Sequence, residues 1–356
     1  MSNRTAGLRA LTTHRLFWPV VVLVVLLAAN TVYRPGFLSV QMRDGHLYGS
    51  LIDILRLSAP LILVALGMTL VIATGGIDLS VGSLCAISGA IACLHISEQP
   101  DQNSVGGVLT ALALGLGVAL VLGAWNGVLV AVIGIQPIIA TLILMVAGRG
   151  LAQLITEGQI LTINSDPYKA IGVGHLLTLP LAIFIALAAA LVVAAFTRRT
   201  ALGLIIESVG GNAQASRLAG IRSARITFLV YVISAACAAV AGFMMTANVS
   251  SADGNAAGLW VELDAILAVV IGGTSLAGGR FSLSGTILGA LLIQTLTTTV
   301  YAMNISPQTS LLFKAVVVIA VCLIQAPGFR ARFARRRAPA TAPAPVTEQP
   351  KEQVPA

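Results

Sequence analysis

Apolar residues in this chain run in long blocks, without the alternation of a half-buried strand or the single stripe of a surface helix. Stretches of about 20 mainly apolar residues are long enough to cross a hydrocarbon core. Reading for them gives ten candidate spans: 16–33, 57–74, 81–97, 106–133, 137–156, 179–196, 226–247, 265–279, 282–302 and 311–327. The third, eighth and tenth are short, and the fourth is long enough to tilt or break. Glycine pairs interrupt the pattern at 74–81 and 265–280. The expected fold is an all-α, polytopic membrane helical bundle of about ten transmembrane helices with broken or re-entrant Gly-rich segments. Three zones follow. They are a segment 1–15, a transmembrane domain 16–327 that includes a polar loop 197–225, and a tail 328–356. The tail is basic, then rich in Pro and Ala, and is expected to be disordered because it cannot pack a core.

Composition removes the soluble alternative. Of the 356 residues 57% are hydrophobic and 10% are charged, against roughly 25% charged in soluble proteins. Mean hydropathy is +0.94. The net charge of +8 is a nucleic-acid signal only until the charges are located. Asp78 is the sole charged residue from Leu57 to Ser97, and only Arg280 and Lys314 fall between Ala265 and Phe329. Basic residues cluster instead at Arg4, Arg9 and Arg15, from Arg198 to Arg225, and from Arg330 to Arg337. Ten spans put both termini and loop 197–225 on one side. The opposite loops carry four basic residues against nine acidic ones. Under the positive-inside rule both termini are cytoplasmic and no nucleic-acid partner is expected. The first apolar run lacks a clear A-x-A site, so it reads as an uncleaved span.

Catalytic and metal patterns are missing from the sequence. Lys169, Lys314 and Lys351 sit in no G-x-x-x-x-G-K-[ST] frame, so the chain carries no Walker A loop. His14, His46, His95 and His175 form no metal spacing, and there is no G-x-S-x-G. Cys85, Cys93, Cys237 and Cys322 lie in apolar runs without a C-x-x-C pair and read as packing residues. Neither an enzyme nor a cofactor is expected.

A few residues remain to be explained. Gly75, Gly76 and Gly82 match Gly272, Gly273 and Gly279 as G-G-x-x-L-x-x-G, and paired glycine-interrupted segments point to a transport path built from repeats. Asp78 at membrane depth costs about 2.5–3.5 kcal/mol on insertion scales. It is read either as a helix cap, with Ser80 as the other candidate, or as a residue of the path. A proton relay is the weaker option, since no second buried acid accompanies it. Trp125 and Asn126, inside Gly123-xxx-Gly127, are either close-packing architecture or a stacking face and amide for a sugar. Gln136-Pro137 breaks or starts a helix, and Glu157 and Gln159 form an exterior rim. Within 200–224, Ser208 to Ile221 is expected to form a short helix, starting at Asn212 and stopping at Gly220. Small residues on one face with Arg alongside give it the make-up of a docking helix.

Three blocks, ATGGIDLSVGS (Ala73–Ser83), GGNAQASRLAGI (Gly210–Ile221) and ELDAILAVVIGGTSLAGGR (Glu262–Arg280), resemble the permease subunits of bacterial monosaccharide ABC importers, the ribose, xylose, arabinose and galactofuranose systems. The likeness runs from about residue 50 to 327. Within that family the combination of GSLIDILRLSAP, IQPIIATLILMVAGRGLAQLIT and NAAGLWVELDAILAVVIGG resembles the galactofuranose permeases most. The resemblance implies an inner-membrane bundle of two permeases, identical or not, with two cytoplasmic ABC ATPase subunits and a periplasmic sugar-binding protein. It implies that 200–224 is the coupling segment, with Glu207, Gly211, Asn212, Ala215, Ala219 and Gly220 at the ATPase. It also implies that Asp78 with its loop, and the Glu262–Arg280 block, flank the path; Asp78, Trp125, Asn126 and Thr274 are expected to line or support it. Many relatives carry Arg where Leu204 stands, so that contact is open here. An ion-gradient-driven secondary transporter is the alternative, and it requires more than one buried ionisable residue along the spans.

Overall fold

The computed structural model describes residues 16–303, together with the helical positions 309, 312, 315, 316 and 319. The segment 1–15, Cys322, the rest of the tenth expected span and the tail 328–356 lie outside the described residues.

Helices account for most of the described chain. They are α1 (Phe17–Tyr33), α2 (Ser50–Ala73), α3 (Val81–Ser97), α4 (Val105–Val128), α5 (Pro137–Ile155), α6 (Asp166–Val173), α7 (Leu181–Arg199), α8 (Leu202–Gly211), α9 (Ala213–Leu218), α10 (Ser223–Val249), α11 (Val261–Ile271) and α12 (Leu283–Ala302). The long fourth run does break: α4 passes into a π-helical turn, Leu129–Ile133. Pro137 then opens α5 as its first residue, a position where its missing N–H is harmless.

Among the described residues six helices are long and apolar enough to cross a membrane, namely α2, α4 with its π turn, α5, α7, α10 and α12. The eighth expected span is corrected. Its helix, α11, has 11 residues and extends about 16 Å, roughly half the hydrocarbon thickness. The glycine pair that closes α11 stops it before it can span. Loop 197–225 is also more ordered than expected. It holds two helices, because Ser208–Gly211 belong to α8 and the break falls at Asn212.

The core gathers around α10, which packs on α2, α3 and α4. α2 is 78% buried along its apolar window whereas α4 and α7 are 22% buried, so the latter two present broad apolar faces outward. Small residues let α10 come close. A Cβ added at Gly242 would lie 2.3 Å from the Cys85 carbonyl oxygen of α3. Cross-helix bonds use the same proximity, from the Cys85 thiol to the Ala238 carbonyl at 3.1 Å and from Ser88 Oγ to the Ala239 carbonyl at 3.3 Å.

Short antiparallel pairs close the end of the bundle that carries the loops read as exterior. β1 (Gln41–Arg43) pairs with β2 (His46–Tyr48), β3 (Ile160–Thr162) with β6 (Ser251–Asp253), and β4 (His175–Leu176) with β5 (Leu179–Pro180). Two of these hairpins touch. The Leu47 N–H donates to the Thr178 carbonyl at 2.9 Å, and the His46 and His175 rings stack with centroids 4.2 Å apart.

Gly242→Ala is expected to destabilise the bundle by about 1–3 kcal/mol, because it overpacks against backbone. Gly117→Ala, with nothing within 4 Å of the new carbon, should be near neutral. Thermal unfolding of the detergent-solubilised protein separates the two. At the hairpins, burial and then His46 and Arg56 hold the His175 pKa below the ordinary histidine value. Protonation is thus disfavoured in the docked state. Hairpin docking should be full above about pH 6.5 and weaken as pH falls below it. Hydrogen exchange at the Leu47 amide, compared with His175→Phe, reads this directly.

Candidate functional site

The first interrupted segment begins where α2 stops. The Gly75 N–H donates to the Ile72 carbonyl and the Gly76 N–H to the Val71 carbonyl, with Gly75 at φ +86. This is a Schellman termination, and its left-handed position favours glycine. α11 ends in the same way, through Gly273 to Val270 and Thr274 to Val269, with Gly273 at φ +87. The echo seen in the sequence is therefore real in the backbone but shifted by one residue, since Gly75 corresponds to Gly273 and not to Gly272. Gly82 lies inside α3, so it has no counterpart in Gly279 (φ +89).

Between α2 and α3 the chain carries Asp78, which is 1% exposed. Its Oδ1 accepts from the Ser80 N–H at 3.0 Å and the Ser80 hydroxyl at 2.6 Å, and its Oδ2 accepts from the Ser234 hydroxyl of α10 at 2.9 Å. Asp78 thus binds the amide of the residue that precedes α3, and it leaves the first-turn amides alone. Asn126 of α4 donates to Ser80 Oγ at 2.9 Å. Thr141 of α5 accepts from the Leu79 N–H at 3.1 Å and lies 2.9 Å from the Pro137 carbonyl. Three helices thus supply side chains to one broken stretch. Ser80 was named from the sequence only as a candidate cap, and Ser234 and Thr141 were not singled out. Hydroxyls in apolar runs are common, and no spacing marks Ser234 or Thr141.

In the second segment, side chains bond to the segment's own backbone. Thr274 Oγ1 accepts from the Ser282 N–H at 3.2 Å, and Ser282 Oγ caps α12 by accepting from the Gly285 N–H at 3.2 Å. Trp125 does not join these groups. It is 55% exposed and points to the outside of α4, whereas Asn126 beside it is buried.

Glu262 reads from the sequence as an exterior-loop acid, but it is 6% exposed. It packs against the first turn of α3, where a Cβ at Gly82 would lie 2.2 Å from its Oε2. That oxygen has no hydrogen-bond partner among the described residues. Arg149 of α5 lies nearby, its guanidinium donating to the carbonyls of Gly254 at 3.3 Å and Ala257 at 2.5 Å. Arg149 was legible as a guanidinium inside an apolar run, and it went unremarked.

A cleft and a cavity lie to either side of this polar knot along α10. An outer cleft of about 430 Å³ has Arg56, Asn248, Asp253, Asp264 and Gln294 among its walls. Arg56 there donates to Asn248 at 2.6 Å and sits 3.6 Å from Asp53. An inner cavity of about 150 Å³ is bordered by Thr74, Gly76, Arg217, Thr227 and Tyr231. Along α10 the inner cavity touches residues 223–231, the Asp78 knot touches Ser234, and the outer cleft touches residues 244–249.

Of the coupling candidates, Asn212 caps α9 by accepting from the Ala215 N–H at 2.9 Å. Gly220 (φ +85) ends it, matching the expected start and stop. Ala215 and Ala219 are exposed, as is Gly211, and Leu218 is 86% exposed. Glu207 turns inward, its Oε1 lying 3.5 Å from the Phe281 nitrogen.

Residues 50–322 match the family model described as branched-chain amino acid transport system / permease component. The chain is 48% identical to the galactofuranose transporter permease protein YtfT of Escherichia coli, over 89% of this chain and 92% of the relative. It is 41% identical to the fructose import permease protein FruF of Bifidobacterium longum, over 93% and 94%. It is 37% identical to the ribose import permease protein RbsC of Escherichia coli, over 85% and 91%. No solved structure matches.

Removing the Asp78 carboxylate orphans a buried amide and two hydroxyls. Asp78→Ala should therefore lower stability by about 3 kcal/mol or more, against about 1–2 kcal/mol for Ser234→Ala. The double variant should fall short of the sum, because the two residues share one bond. Denaturant unfolding of the four proteins in detergent checks both statements.

Proposed function

The chain belongs to the branched-chain amino acid transport system / permease component family, and from that premise we propose that it is the membrane-spanning permease of an ATP-driven monosaccharide importer in the bacterial inner membrane. The sugars named for its relatives, galactofuranose, fructose and ribose, support a monosaccharide over an amino acid, with galactofuranose first. The observation that carries transport is the order along α10 of inner cavity, buried knot and outer cleft. A cleft and a smaller cavity toward opposite ends of one helix, with a buried polar knot between them, fit the closed state of an alternating path.

In this reading residues 16–327 form the permease domain, with both termini on the cytoplasmic side where the Arg clusters lie. The segment α8–α9 receives the ATPase through the exposed face of Ala215, Ala219 and Leu218, with Asn212 and Gly220 setting the helix ends. Hydrolysis belongs to a separate ABC ATPase subunit. A second permease completes the path, and a periplasmic sugar-binding protein docks at the hairpin end. Asp78, Asn126 and Thr274 support the path by holding its broken segments, and Trp125 meets lipid.

Proteoliposomes holding the permease, its ATPase and its binding protein should take up the sugar only with ATP. Uptake driven by an ion gradient without ATP, or uptake of leucine in place of sugar, would sink the proposal. Ala215→Glu or Ala219→Glu should release the ATPase in co-purification while the bundle remains folded. An ATPase that stays bound would refute the docking assignment.

A further inference from the structure

The last turn of α8 meets both interrupted segments at one point, and it does so through backbone. The Gly279 N–H donates to the Ala73 carbonyl at 2.9 Å, joining the second segment to the end of α2. A Cβ built at Gly210 would lie 1.7 Å from that same carbonyl oxygen and 2.7 Å from the Gly279 nitrogen. A Cβ built at Gly278 would lie 2.8 Å from the Gly210 carbonyl oxygen and 3.1 Å from the Gly75 Cα. Three stretches of main chain, at 73–75, at 210 and at 278–279, are thus stacked without a side chain between them. Ile206 and Val209, both buried, anchor α8 on either side of Glu207, which approaches the Phe281 amide.

This construction bears on how motion travels. Side chains at an interface absorb a shift by changing rotamer. Backbone atoms in van der Waals contact have no such freedom, so a displacement of one stretch is passed on to its neighbours. From the junction one branch leads through Gly75 to the Asp78 knot and α3. The other leads through Gly279 to the Ser282 cap and α12.

We propose that Gly210 is the positioning residue through which movement of the α8–α9 segment reaches both broken helices at once, its bare backbone being seated on the Ala73–Gly279 hydrogen bond. The proposal rests on the reading of α8–α9 as the ATPase-docking segment. It adds that docking and transmission are separable, with docking at the exposed α9 face and transmission at Gly210.

The test uses the complete complex of permease, ATPase and binding protein in proteoliposomes, with wild type, Gly210→Ala and Gly117→Ala, the last a glycine of α4 outside the docking segment whose added carbon meets nothing within 4 Å. ATPase co-purification, ATP hydrolysis, sugar uptake and thermal unfolding are measured for each. Gly210→Ala should keep the ATPase bound and hydrolysing while sugar moved per ATP falls roughly ten-fold or more, the size of an ordinary coupling energy. Gly117→Ala should match wild type. Uptake by Gly210→Ala within about two-fold of wild type, less than the smallest ordinary coupling factor, overturns the inference. Should Gly210→Ala not fold, Glu207→Ala decides. Reduced uptake per ATP with the ATPase still bound supports the junction, and unchanged uptake per ATP refutes it. Absence of ATP-driven uptake in the wild-type complex fails the permease reading itself, and the inference falls with it.

Discussion

A helix interrupted in apolar surroundings must find partners for its freed amides and carbonyls within the protein, since lipid offers none. The arrangement of this bundle follows from meeting that requirement between Ala73 and Val81. α2 closes its own carbonyls with the Gly75 termination. The amide of Ser80 goes to Asp78, and the amide of Leu79 goes to Thr141. Each of these partners must be brought within about 3 Å, which holds α4, α5 and α10 around the start of α3. Small residues on α10 make that approach feasible, and the knot gives the approach a fixed register.

The same requirement explains why a single acid could be read from the sequence and its meaning could not. Asp78 stood out because it is charged in a long apolar stretch. Its role as an acceptor for Ser80 and Ser234 depends on a contact 156 positions away, which no local pattern encodes. The glycine pairs were legible as breaks, and Pro137 and Asn212 as helix starts, because these residues act through their own backbone. For α11 the shortness of the run and its closing glycine pair were legible, but not that the helix would hold only 11 residues and fail to span, since its own residues are as apolar as those of a spanning helix. Glu262 was misplaced for a related reason. Charge counting assigns acids to loops, whereas this one is buried against α3 by the chain that folds back before α11.

Glu262 also bears on the ion-gradient alternative, which calls for more than one buried ionisable group. Asp78 and Glu262 are two such groups, but they lie at opposite ends of the short stretch that begins α3. Asp78 is occupied by three donors. Arg149 beside Glu262 is occupied by two main-chain carbonyls. The pair thus reads as bracing for a broken helix.

The backbone-on-backbone contacts divide the chain into two kinds of sequence. Gly285 faces the Gly272 carbonyl and Gly289 faces the Ala268 carbonyl, each with no room for a methyl group. The outward faces of α4 and α7, by contrast, ask only for apolar character. Substitution therefore meets two different limits: the outward faces of α4 and α7 should accept exchanges among Leu, Val, Ile and Phe, whereas these glycines leave no room even for a methyl group. The moving parts of such a chain are specified by far fewer positions than its bulk.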